Sequence, residues 1–122
     1  MKVIFAAITI FLTIAIDASI SIDIEISSQR LFLKDNGQVI RSYPVSSSAF
    51  GEGQIENSLK TPYGKHIIKT KIGTNVLKND FFISRQHIPQ PATIIHEPVD
   101  SKDDFITSRI MWLEGEEDGF NK

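Results

Sequence analysis

The sequence contains no cysteine. Disulfides, cysteine-ligated zinc and a thiol nucleophile are therefore excluded from these 122 residues. Net charge is also small, −2 at pH 7 from 13 basic and 15 acidic side chains, so no overall field draws the chain to nucleic acid. A glycine-rich phosphate cradle is missing: Gly51-Glu52-Gly53 lacks both a third glycine and the strand-to-helix setting. No apolar run reaches the ~20 residues that a membrane-spanning helix needs. No segment sustains a 3.6-residue apolar period either, which leaves a period of two as the organising signal.

What is present begins with a short positive start, Met1-Lys2, followed by 14 uncharged residues from Val3 to Ile16 that are interrupted only by Thr9 and Thr13. Length and flanks fit the apolar region of a secretory signal peptide, with Ala18 as a candidate last residue before cleavage and Ser19-Ile20-Ser21 offering a second site. The competing reading is a buried N-terminal strand, suggested by the isoleucines and threonines. The run is longer than a usual strand and a lysine precedes it, so residues 1–18 are expected to be a signal peptide and residues 19–122 the mature domain. No stable membrane span is expected once the leader is removed.

From Ile20 the period is two. Ile20, Ile22, Ile24 and Ile26 alternate with Ser21, Asp23, Glu25 and Ser27, which predicts a half-buried strand. A second strand is predicted over Arg30–Lys34, a hairpin turn at Asp35-Asn36-Gly37, and a third strand over Gln38–Val45. The stretch from Ser46 to Ile72 organises the remainder. Its first part is a Ser- and Gly-rich loop. Thr61-Pro62-Tyr63-Gly64 then forms a stiff turn, in which Pro62 fixes its own φ, Thr61 is pushed into extended backbone, and Gly64 is free to take a positive φ. A strand over Lys65–Ile72 follows directly. Phe81–Arg85 reads as a short strand, Gln86–Asp104 as a long structureless loop carrying Pro89, Pro91 and Pro98, and Phe105–Leu113 as a last, buried strand. The fold class expected is all-β. Thr61, Pro62 and Gly64 are singled out as its structural motif.

Candidate chemistry is sparse. His66, His87 and His96 stand 21 and 9 residues apart, with Glu97 beside the last, which is no recognised metal spacing. No metal site is expected. Ser46, Ser47 and Ser48 lack the surroundings of a nucleophile elbow and read as turn residues. Lys60, Lys65, Lys69, Lys71 and Lys78 run with no acid between them, while Glu114, Glu116, Glu117 and Asp118 crowd together. Both groups read first as solvated faces, although two of the glutamates are a conceivable acid–base pair. No residue is assigned a catalytic role.

The order of elements resembles the N-terminal part of an L,D-transpeptidase catalytic domain. The likeness rests on Gln29-Arg30-Leu31-Phe32-Leu33, Asp35-Asn36-Gly37 and Ser42-Tyr43-Pro44-Val45-Ser46. It continues through Lys60-Thr61-Pro62-Tyr63-Gly64-Lys65-His66-Ile67-Ile68 and ends with Thr107-Ser108-Arg109-Ile110-Met111-Trp112-Leu113. The Tyr-Pro-Val-Ser and Thr-Pro-x-Gly pieces are fairly specific in that order and spacing. The resemblance implies a mixed β-sandwich-like domain, exported to the periplasm or cell envelope of a bacterium and acting on peptidoglycan stem peptides. It implies no cofactor.

In such a domain a histidine-activated cysteine thiolate attacks the carbonyl of the third stem-peptide residue, expels the terminal D-alanine and passes the acyl group to an amine. The motif that carries this chemistry, His-Gly followed by Ser-His-Gly-Cys-x-Arg, does not occur in these residues, and His66 does not match the motif's histidine. The expectation is therefore a partial catalytic domain, incomplete at its C-terminus and inactive alone. The alternatives are a non-catalytic envelope module that binds muropeptides or a protein partner, and an unrelated secreted β-domain that shares two turns.

Overall fold

The computed structural model describes residues 19–122, so the expected leader lies outside the described residues. No helix occurs among the described residues, and the eight strands form three sheets in which every paired strand is antiparallel. The architecture is all-β, as the sequence predicts. The chain divides into two compact units, one up to Ser47 and one over Ser48–Lys122.

In the first unit β1 (Ile20–Glu25), β2 (Arg30–Asp35) and β3 (Gln38–Pro44) form a meander in the order β1-β2-β3. Asn36 and Gly37 both have positive φ, +47° and +80°, which is the two-residue hairpin geometry that Asn-Gly favours. Ile22 faces Leu33 across the sheet, Ile24 faces Leu31, and Leu31 faces Tyr43. On the other face Asp23 pairs with Lys34, and Arg30 donates to Ser42 Oγ at 2.7 Å. The predicted half-burial of β1 is not found. The isoleucines share a face, yet Ile20 and Ile24 stay 63% and 53% exposed, because a lone three-stranded sheet carries no second layer within its own unit. The unit closes at Gln29, a residue with φ of +52°. Its side-chain amide donates to Ser47 Oγ, its side-chain carbonyl accepts Ser47 N–H, and its backbone carbonyl accepts Val45 N–H.

In the second unit β4 (His66–Ile72) pairs with β8 (Ile110–Gly115), while β5 (Asp80–Ile83) lies between β6 (Gln86–Pro91) and β7 (Ile106–Thr107). The small core sits on β5. Asp80, Phe81 and Phe82 are its buried residues, with Phe81 stacked on Phe105 at 4.3 Å between ring centroids.

Two sequence expectations need correction here. The segment beginning at Gln86 is not wholly structureless, because Gln86–Pro91 is a strand. Ser84 and Arg85 both take positive φ and turn the chain back on β5. A register shift between Asp80 and Phe81 absorbs the extra residues around Pro89, and β6 is an edge strand, the one sheet position that tolerates prolines. The expected single strand over Phe105–Leu113 is two strands in two sheets. The break falls at Ser108, with φ of +66°, where Ser108 N–H donates to Asp80 O and Ser108 Oγ accepts Asn79 N–H. Nor is that segment buried: Ile106 is 56% exposed and Trp112 42%.

Candidate functional site

The most heavily hydrogen-bonded surface feature is the Thr61–Lys65 turn, held from both sides. On one side the Ser48–Lys60 loop closes on Thr61. Thr61 N–H donates to Gly51 O, Thr61 O accepts Gly53 N–H, and Thr61 Oγ1 accepts Ser48 N–H at 2.8 Å. Gln54 then brackets Tyr63, its carbonyl taking the Tyr63 N–H at 3.2 Å and its amide donating to Tyr63 O at 2.6 Å. A neck tied this closely fixes the loop's base while its tip stays in water.

On the other side the segment after β8 hooks over the turn. Glu117 accepts Lys65 N–H at 2.7 Å, Asn121 donates to the carbonyls of Tyr63 and Lys65, and Glu116 N–H donates to Lys65 O. Phe120 meets the Tyr63 ring edge-on at 5.4 Å. Gly64 sits beneath this hook with φ of +95°, and a Cβ there would run into the Glu117 carboxylate, Asn121 and the Phe120 ring. Between loop and hook lies a groove of about 420 Å³, whose lining includes Ile55, Leu59, Lys60, Pro62 and Phe120.

The β4–β8 ladder carries a second, shallower feature. A β-bulge between Ile68 and Thr70 takes Lys69 out of register, and Lys69 Nζ reaches Glu114 Oε1 at 2.6 Å beside a hollow of about 210 Å³. Both side chains of this pair are about half exposed, which limits its contribution to stability to roughly 0–1 kcal/mol. Arg85, from the β5–β6 turn, stacks over the Trp112 ring at 3.8 Å.

The remaining candidate residues do not converge. His66 donates to the carbonyl of Gly64 at 3.0 Å, whereas His87 donates through Nε2 to the buried Asp80 at 2.8 Å. His96 lies in the segment after β6. Among the described residues no group of three His, Asp or Glu side chains is placed to hold a metal ion. Ser47 and Ser48 serve as hydrogen-bond partners of Gln29 and of the loop neck. The glutamates diverge as well, since Glu114 pairs with Lys69 while Glu117 caps the turn. Glu117 and Asn121 are the contributors that sequence reasoning missed. Their partners lie more than fifty residues away, and a Glu-Glu-Asp run reads locally as a solvated turn.

The turn lies inside the part of the chain that one family model matches. The family model for the L,D-transpeptidase catalytic domain, YkuD, matches residues 19–110, most of the chain. The protein belongs to the L,D-transpeptidase catalytic domain family. No curated protein and no solved structure matches it.

Proposed function

We propose that this chain supplies the scaffold and groove wall of an L,D-transpeptidase domain that works on peptidoglycan stem peptides in the bacterial cell envelope, after export by a leader ending near Ala18. One observation carries the reading: the family match over residues 19–110 spans the Thr61–Gly64 turn and strands β1 to β7. Thr61, Pro62 and Gly64 act structurally, fixing the groove edge, and take no part in bond making. Acyl transfer by a thiolate needs a sulfur nucleophile, and the sulfurs in these residues are the thioethers of methionine. Transpeptidation therefore depends on a thiol that the 122 residues do not supply.

The test is chromatography of tetrapeptide muropeptides incubated with the purified chain. No D-alanine is expected from the chain alone. Cysteine-dependent release is expected once a His-Gly and Ser-His-Gly-Cys-x-Arg segment of the family is joined to it. Release by the unmodified chain, or none by a folded chimera, overturns the assignment. The missing thiol also favours a second reading, a non-catalytic envelope module that holds muropeptides. Retention on a peptidoglycan column, combined with a folded but inactive chimera, would select it. The export step is checked by mass spectrometry of envelope-purified protein, which should begin near Ser19. An intact Met1 on a cytoplasmic product contradicts it.

A further inference from the structure

The β1–β2 ladder runs out at the peptide bond where the leader is expected to be cut. Ile20 faces Asp35, and Ser19 is held one step further on, its carbonyl accepting Asn36 N–H at 3.0 Å. Beyond that point β2 turns away through Asn36 and Gly37 into β3. The Asn36 side chain takes up the Ser19 nitrogen there, its Oδ1 accepting Ser19 N–H at 3.2 Å. A two-residue hairpin turn of this kind accepts glycine at both positions, so the turn itself does not require that amide.

The other end of the same amide meets a carboxylate. Asn36 Nδ2 donates to Asp35 Oδ1 at 3.1 Å. Asp35 forms no ion pair among the described residues, and Lys34 beside it is committed to Asp23. The Asn36 amide is thus set with its oxygen toward the Ser19 nitrogen and its N–H toward a negative charge. Hydrolysis of the Ala18–Ser19 bond consumes one water and leaves a carboxylate on Ala18 and an α-ammonium on Ser19. Both bonds of the Asn36 amide then become charge-assisted. A cut at the second candidate site, after Ser21, would instead discard the Ser19 contacts and the Ile20 pair with Asp35.

We infer that the Asp35-Asn36 turn is the receptor for the N-terminus that processing creates. The Ser19 α-ammonium docks on Asn36 Oδ1, the Asp35 carboxylate stands behind the amide, and the outer end of β1 is fastened. Side-chain packing does little of that work, because β1 is an edge strand whose Ile20 stays 63% exposed. The inference deepens the export proposed above and rests on it only for the cut after Ala18.

Mass spectrometry of the envelope-purified protein identifies its first residue. Amide hydrogen exchange then compares that protein with the same protein acetylated at its α-amine alone. The reporter is Ser21 N–H, which faces Lys34 in the next hydrogen-bonded pair after Ser19 and Asn36. It should exchange about threefold faster after acetylation, the size expected of one exposed charge contact. Asn36→Gly keeps the turn and removes the amide, and should bring the ratio of acetylated to free rates to about one. Asn36→Asp sets a carboxylate directly against the ammonium and should raise the ratio above threefold. Each ratio is taken within one variant, so any change in the stability of the turn itself cancels. Equal rates in the free and acetylated protein overturn the inference, as does a ratio that survives Asn36→Gly. A protein that begins elsewhere than Ser19 removes the expected cut and this inference together. One that begins at Ser19 but ignores the charge there removes the inference alone.

Discussion

Gly64 shows how far a single residue can be read ahead of the structure. A glycine two places after a proline, at the mouth of a strand, is expected to use a positive φ, and it has φ of +95°. What the sequence does not announce is the crowding above it, where the Glu117 carboxylate occupies the space a Cβ would enter. Gly64→Val therefore meets two obstacles, a disfavoured backbone region and a blocked side-chain position. It should destabilise the second unit by at least ~1 kcal/mol, measured by urea denaturation. An unchanged midpoint would count against the clamp. Glu117→Ala removes the acceptor of Lys65 N–H while leaving Gly64 untouched, and should cost about 1–2 kcal/mol; the Gln variant, which keeps a carbonyl oxygen, should recover part of that. Glu117 was illegible because its role depends on a strand end 52 positions earlier in the chain. Alternation and turn chemistry report only near neighbours.

At the level of elements, what was legible followed the strength of the local signal. β1 to β4 announce themselves by alternation and by an Asn-Gly turn, and each lies within a residue or two of its expected span. The β5–β6 hairpin was missed for two reasons. Ser84-Arg85 is a poor written signal for a turn with two positive φ values, and prolines argue against a strand unless it is known to be an edge. The same logic hid the break at Ser108, where a single left-handed serine inside an apolar run separates β7 from β8. A prediction follows from the first case. Ser84→Asn places a residue that tolerates left-handed backbone in the turn while keeping the Arg85 stack on Trp112. Stability should rise by roughly 0.5 kcal/mol, with slower amide exchange at the Ile83–Gln86 pair. A fall in stability would mean that the Ser84 side chain is needed where it stands.

For the whole chain, the deciding quantity is how little of its apolar surface is covered. Among the described residues, buried apolar side chains are confined to Phe81 and Phe82, while Ile22 and Ile24 in the first unit and Ile67, Met111, Trp112 and Leu113 on the β4–β8 ladder remain open to water. Two- and three-stranded sheets without a covering layer are marginal on their own, and their free edges invite pairing with other chains. The chain should therefore bind hydrophobic dyes strongly and sediment as larger species as its concentration rises. The proposed function carries an expectation at this scale, that a segment bearing the family's His-Gly and cysteine motifs packs against these open strand faces. Joining that segment in cis should lower dye binding and raise the melting temperature together with the appearance of cysteine-dependent D-alanine release. If a chimera released D-alanine with its apolar faces still binding dye, stability and catalysis would have separate causes. If the unmodified chain proved monomeric at high concentration and silent to dye, the exposed faces would be an intrinsic, tolerated surface that needs no covering layer.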